Sequence, residues 1–170
     1  ASRVKSIEPY PMTGQESRDT THYSVMDAQG NAVSNTYTLG YSFGSGWVAE
    51  GTGIIFDNQM RNFRFSNEGG MNALEPGKRM ISTMTPTLVL DEDGQVFLVT
   101  GTPGGGRIIN TILQVLVNVI DFDMNIAEAT HRPRIQQGWN NQALGLEEGF
   151  SPDTVSLLRD MGHEVRFEQT

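Results

Sequence analysis

The chain has 170 residues, 20 acids against 12 bases for a formal net charge of −8, 37 % apolar content and no cysteine. That length suits one ordinary core, while an acidic balance without any basic cluster excludes a surface for nucleic-acid phosphates or anionic lipids. Zero Cys, with only His22, His131 and His163, excludes disulfide scaffolds, zinc–thiolate sites and cysteine nucleophiles, so chemistry must come from hydroxyls, amides, carboxylates and backbone groups.

Residues 1–19, with Pro9, Pro11, Gly14 and the run Glu16-Ser17-Arg18-Asp19, follow neither a helical nor a strand period and read as an extended tail or linker. Their polar, Pro-punctuated character is not that of a signal peptide, and no apolar run in the chain approaches the roughly 20 residues of a bilayer span. Tyr23 to Asp27 and Ala32 to Leu39, rich in β-branched and aromatic residues, flank Gln29-Gly30 and predict two strands joined by a tight turn. Gly40 to Gly53 holds five glycines and predicts a long loop, followed by a short buried strand at Gly53-Ile54-Ile55-Phe56. Thr85 to Asp91 and Gln95 to Gly101 flank Glu92-Asp93-Gly94 as a hairpin. Both arms are apolar nearly throughout, which predicts a sheet covered on both faces.

After the loop Gly101-Thr102-Pro103-Gly104-Gly105-Gly106, residues Arg107 to Asp121 predict a helix whose apolar positions cover most of its circumference, as expected for packing against a sheet and a further layer. A short helix from Ile126 to about His131 should stop before Pro133. Leu144-Gly145-Leu146 suits a strand; Ser151 as N-cap, Pro152 at the first helical position and Gly162 past the end bracket another helix. Val165 and Phe167 begin a last strand. The order is that of an α+β fold with layered helix and sheet.

Glycine supplies 19 of 170 residues, about 11 % against a usual share of about 7 %, so some glycines should mark turns or places where backbone approaches a ligand. The loop from Gly101 to Arg107 could be a tight strand-to-helix turn or a nest of N–H groups for an oxyanion or carboxylate. It lacks the Gly-Lys-Ser/Thr ending of a nucleotide P-loop. Asp91-Glu92-Asp93-Gly94 lacks the downstream acid of a calcium loop, the three histidines stand apart, and no serine lies in Gly-x-Ser-x-Gly. Asp19-Thr20-Thr21-His22-Tyr23-Ser24 differs, because it follows the tail and leads into a strand. A threonine hydroxyl is a poor nucleophile until a base takes its proton, and the α-amine of the same residue, freed by cleavage before it, can be that base.

Taken in order, Thr20-Thr21-His22-Tyr23-Ser24, Gly30-Asn31-Ala32-Val33, Asn58-Gln59-Met60, Lys78-Arg79-Met80-Ile81-Ser82-Thr83-Met84-Thr85-Pro86-Thr87, Gly101-Thr102-Pro103-Gly104-Gly105-Gly106-Arg107-Ile108-Ile109 and Phe150-Ser151-Pro152-Asp153-Thr154 resemble the γ-glutamyltranspeptidase (glutathione hydrolase) family of N-terminal-nucleophile hydrolases. The resemblance runs from about Asp19 to Phe167. It implies an αββα four-layer sandwich built from a precursor that cuts itself into a large and a small subunit, with residues 1–19 ending the large subunit and 20–170 forming most of the small one. By the same resemblance Thr20 matches the nucleophile, Thr38 the threonine that hydrogen-bonds to it, and Gly104 and Gly105 the oxyanion-hole pair. Ser82 and Thr83 match the hydroxyls that hold the substrate α-carboxylate, and Gln59 a polar residue near the α-amino group. No metal or other cofactor is implied.

Two positions depart from the family pattern. Gly40 stands where Asn is common, and Asn62 where an acid usually faces the substrate α-ammonium. Loss of that carboxylate removes a charge-assisted contact of about 1.5–3 kcal/mol, and Arg61 beside it would disfavour a cation further if it faced the site. The substrates implied are therefore γ-glutamyl amides or, as in the cephalosporin-acylase-like relatives, glutaryl amides without an α-ammonium; a non-catalytic member is the rival class. The partner expected is the large subunit, lying before Ala1 and bringing the arginine that binds the substrate carboxylate. The chain is expected to stop short of the family's usual C-terminal strands and, alone, to expose much of its apolar hairpin and aggregate. A periplasmic or extracellular location rests on the resemblance alone.

Overall fold

The computed structural model describes residues 19–65, 70–138 and 143–168; the tail read at the N-terminus lies, up to residue 18, outside them. The chain divides after Gly105 into two compact units. In the first, β1 (Thr20–Met26) and β2 (Ala32–Thr38) pair antiparallel from Thr20↔Thr38 to Met26↔Ala32. Their turn is closed by Asp27, whose Oδ1 accepts from the N–H groups of Gln29 and Asn31, each at 2.9 Å, while Asn31 Nδ2 donates to Oδ2 at 2.7 Å. These bonds favour the ionised carboxylate, so the Asp27 pKa is lowered, chiefly by the Asn31 side chain.

The two faces of this hairpin differ sharply. Side chains alternate along a strand, so Thr20, His22 and Ser24 share a face with Ser34, Thr36 and Thr38, whereas Tyr23, Val25, Val33 and Tyr37 share the other. The apolar four are each more than half exposed. The second hairpin, β3 (Thr87–Leu90) with β4 (Val96–Thr100), is closed by the same device: Asp91 Oδ1 accepts from Asp93 N–H at 3.0 Å and Gln95 N–H at 2.8 Å. Within the first unit the face carrying Leu88, Leu90 and Phe97 is open, these residues being 48–57 % exposed, as expected of the hairpin in this chain alone; cover on both faces would need a further layer.

The buried strand expected at Gly53–Phe56 is also absent. Ile55 makes only an isolated bridge to Val48, and Ile54 and Phe56 are 61 % and 47 % exposed. The glycines decide this: Gly51 and Gly53 hold φ of +76° and +71°, turning the chain back so that Phe56 N–H bonds Trp47 O and Phe56 O accepts from Ser45 N–H. At Gly44, φ is +53° and a Cβ would lie 2.1 Å from Phe56 O, so only glycine fits.

In the second unit, α1 (Ile108–Ile120) buries Ile108, Ile112 and Val115 at helical spacing and leaves Ile109, Leu113 and Ile120 about half exposed. Gln114 imitates a strand neighbour: its amide donates to Ile135 O and accepts from Ile135 N–H, both at 2.8 Å, capping the edge of β5 (Ile135–Gln136), a strand too short to announce itself in the sequence. Before it, α2 (Ile126–His131) opens with a capping box between Asn125 and Glu128. Strand β6 (Ala143–Leu146) is wholly buried, antiparallel to β5 and parallel to β7 (Glu164–Phe167), which it reaches through α3 (Pro152–Asp160). Leu144, Leu146 and Val155 form the core of this unit, with Ile135, Phe150, Leu158 and Val165 around it. The content is mixed helix and strand, and no described helix is long and apolar enough to cross a membrane.

Candidate functional site

All nine residues singled out from the sequence lie in the first unit, seven of them in loops and turns between or after its strands. Thr20 opens β1 and stands directly opposite Thr38, the last residue of β2, on the hydroxyl-lined face. The Thr38 Oγ1 accepts from Gly40 N–H at 3.0 Å. Among the described residues no hydrogen bond joins the Thr20 and Thr38 hydroxyls. Asp19, immediately before Thr20, accepts from the Ser42 hydroxyl.

The hydroxyl face is tied to the end of β4 by side chains rather than by a backbone ladder. Ser24 Oγ donates to Val99 O at 3.3 Å and Ser34 Oγ to Thr100 O at 2.9 Å. Between them the His22 ring lies against Gly101, where a Cβ would sit 2.2 Å from Nδ1. The same ring bonds Thr36 Oγ1 through Nδ1 at 2.9 Å and Ser24 Oγ through Nε2 at 3.2 Å. Its partners are neutral and burial disfavours the imidazolium, so its pKa is lowered from 6.5.

Gly40 is buried with φ of +86°, a conformation that glycine and asparagine tolerate best. This explains glycine at the first departure; its consequence is that no side chain reaches out there. Arg61 Nη2 approaches Gly40 O at 3.5 Å, and its guanidinium lies 4.0 Å above the Tyr41 ring centre. A cation thus lies beside the segment that follows Thr38.

Gln59 and Asn62 begin and end one 3-10 turn, Gln59–Asn62, entered through a bond from Gln59 N–H to Asp57 Oδ1 at 2.8 Å. The Asn62 Nδ2 donates to Gln59 Oε1 at 3.0 Å and to Ile81 O at 3.3 Å. With both N–H bonds used, the group that Asn62 has left to offer is its Oδ1, an uncharged acceptor.

Ser82 and Thr83 follow Ile81. The Ser82 Oγ accepts from Met84 N–H at 3.2 Å and is exposed, whereas Thr83 Oγ1 donates to Gly105 O at 2.8 Å. One residue of the pair therefore holds the glycine loop. In that loop Gly104 and Gly105 have φ of +134° and +56°, which orient two successive peptide groups as few other residues could. Gly105 also opens a helical turn, Gly105–Arg107, so its N–H has no intrahelical acceptor. The conformation is thus one that glycine allows, and the Gly105 N–H at the start of the turn is a donor of the kind that an oxyanion nest uses.

Sequence reasoning set His22 aside as isolated and did not single out Tyr41 or Asn72. Asn72 is the buried polar side chain among the described residues, at 8 % exposure. A lone Asn in a polar stretch carries no signal; only its bonds reveal it. Among the described residues no three of His, Asp and Glu gather as a metal site would require.

A family model described as gamma-glutamyltranspeptidase matches residues 2–170. The glutathione hydrolase proenzyme of Escherichia coli strain K12 is 47 % identical over 178 residues, covering 99 % of this chain and 30 % of that protein. The acylase ACY 1 proenzyme of Pseudomonas sp. strain SE83 is 39 % identical over 155 residues, covering 91 % and 27 %. A crystal structure of acivicin-inhibited gamma-glutamyltranspeptidase superposes with a TM-score of 0.80 at 43 % identity, over 88 % of this chain and 85 % of that one. The chain thus spans about a third or less of the length of these curated relatives.

Proposed function

The chain belongs to the gamma-glutamyltranspeptidase family, and on that premise we propose that it is the catalytic part of an N-terminal-nucleophile amidohydrolase that transfers a γ-glutamyl or similar acyl group through an acyl-threonine. The observation that carries this reading is the pairing of Thr20 with Thr38 on a hydroxyl face whose ties, at Val99, Thr100 and Gly101, lead into the Gly104–Gly105 nest.

Within a continuous chain the Thr20 nitrogen is an amide, whose lone pair is delocalised and cannot act as a base. Cleavage of the Asp19–Thr20 bond turns it into an amine with a pKa near 8. That amine takes the Thr20 hydroxyl proton as Oγ1 attacks the substrate carbonyl, and the Gly104 and Gly105 N–H groups stabilise the oxyanion. Collapse expels the leaving amine with that proton. Water or an acceptor amine then attacks the ester and regenerates the hydroxyl. Ser82 donates to the α-carboxylate in this scheme and Thr83 joins it on giving up its bond to Gly105 O, Thr38 supports the nucleophile, and Gly40, Gln59 and Asn62 line the α-position.

The same reading divides the chain into residues 1–19, the end of a large subunit, and 20–170, most of a small one. The large subunit would cover the open faces around Tyr23, Val25, Val33, Tyr37, Leu88, Leu90 and Phe97, completing a four-layer sandwich in a periplasmic or extracellular enzyme.

A second reading is favoured by Asn62. Its neutral Oδ1, with the Arg61 guanidinium on the same turn, suits an acyl group lacking an α-ammonium, so a glutaryl amide is the alternative substrate. Hydrolysis of γ-glutamyl and glutaryl p-nitroanilides by the complete precursor distinguishes them: a strong γ-glutamyl preference removes the second reading. Mass spectrometry should find a fragment beginning at Thr20, absent in Thr20→Ala; if neither anilide is cleaved and no such fragment forms, a non-catalytic member of the fold is the correct description.

A further inference from the structure

Asn72 holds two separate parts of the site at a fixed spacing. Its Nδ2 donates to Asn62 O at 2.6 Å and its Oδ1 accepts from Ile81 N–H at 3.1 Å. The orientation of this amide is unambiguous, because a carbonyl can only accept and a peptide N–H can only donate. The backbone around Asn72 is itself fixed: its carbonyl accepts from Arg64 N–H at 2.9 Å, and the sequence neighbours of that pair, Phe63 before Arg64 and Ala73 after Asn72, are buried. Ile81 is thereby gripped twice, its N–H by Asn72 and its C=O by the Asn62 side chain. The next two residues are Ser82 and Thr83, and Thr83 reaches Gly105.

Resting on the acyl-transfer reading above, we propose that Asn72 is a positioning residue for substrate selection: its buried amide sets the distance between the Gln59–Asn62 turn, which faces the substrate α-position, and the Ser82–Thr83 pair, which receives the α-carboxylate. A buried polar side chain normally costs stability unless fully paired, and each end of this one is spent on a different segment of the site. An apolar residue could fill the space but could not link the two segments.

Asn72→Asp keeps the shape and the acceptor for Ile81 N–H but sets an oxygen against Asn62 O. Asn72→Ala removes both links. In the complete precursor, kcat/KM for the preferred anilide, γ-glutamyl or glutaryl, is expected to fall about 10- to 100-fold in both variants, mainly through KM. The loss with p-nitrophenyl acetate, an activated ester without an α-carboxylate, should be at least about tenfold smaller. Independently of turnover, hydrogen exchange at the Ile81 amide should accelerate about tenfold or more in Asn72→Ala and much less in Asn72→Asp. Equal losses on anilide and ester, or an Ile81 amide that exchanges at the wild-type rate in Asn72→Ala, would overturn the positioning role alone. Wild-type precursor that turns over neither anilide overturns the acyl-transfer reading and this role with it.

Discussion

Gly101 is the point at which β1, through His22, touches the loop leading to Gly104 and Gly105, and its replacement by alanine gives a quantitative test of that contact. A Cβ there would lie 2.2 Å from His22 Nδ1, 2.3 Å from Cε1 and 2.8 Å from Cγ. To reach an ordinary separation of about 3.5 Å the ring must move by about 1.3 Å, which its bonds to Thr36 and Ser24 cannot both survive. Overpacking costs about 1–3 kcal/mol and each lost neutral hydrogen bond about 0.5–1.5 kcal/mol, so with one or both bonds lost the change should destabilise by about 1.5–6 kcal/mol. Gly101 is not in the left-handed region, so the backbone itself accepts alanine. In a His22→Ala background the new methyl meets no ring, and the reduced freedom of the unfolded chain makes the same substitution neutral or stabilising by up to about 1 kcal/mol. A double-mutant cycle, read by calorimetric melting of uncleaved precursor carrying Thr20→Ala, should therefore give a coupling of at least about 1.5 kcal/mol. Equal destabilisation by Gly101→Ala in both backgrounds would refute the contact.

Removal of the Thr83 hydroxyl in Thr83→Val should lower kcat about 2- to 10-fold by freeing the Gly105 carbonyl, with Thr83→Ser restoring most of it; steady-state kinetics on the preferred anilide reads both. The folded state binds a proton on His22 less readily than the unfolded chain does, because burial lowers the imidazole pKa below 6.5. The stability this group contributes is thus full above pH 6.5 and lost as pH falls through the folded value, so His22→Gln should flatten the decline in melting temperature on acidification. In the second unit, Gly145→Ala would bring a Cβ within 2.5 Å of the Glu168 carboxyl and push it from Arg107, whose ion pair at 2.8 Å is partly exposed. Because the obstacle is the end of a flexible side chain and such pairs contribute about 0–1 kcal/mol, melting should change little.

The elements that sequence reasoning recovered are those with local chemistry. Asp27 and Asp91 close their turns with their own carboxylates, and Ser151-Pro152 with Gly162 brackets α3, so each signal lies within a few residues of its effect. The failures were of long-range origin. Gly53–Phe56 is apolar enough for a strand, but pairing depends on a neighbour, and the chain supplies only Val48. β5 exists because Gln114, on a distant helix, satisfies its edge.

For the site, the ordered motifs shared with the family pointed to Thr20, Thr38, Gly104 and Gly105, because the nucleophile and nest chemistry proposed for them restricts the side chains that can serve. The parts that hold them in place are not restricted in this way. His22 acts through a ring laid on Gly101, and Asn72 through one amide shared by Asn62 and Ile81. Any polar sequence contains such residues, and their bonding cannot be read before the chain is folded. The inverted hairpin β1–β2 follows from the same division. Its polar face is turned toward the ties with β4, where hydroxyls are needed, which leaves Tyr23, Val25, Val33 and Tyr37 to face outward. Those four exposed side chains are a consequence of turning the hydroxyl face toward β4, and they set the demand for a further layer that the proposed large subunit would meet.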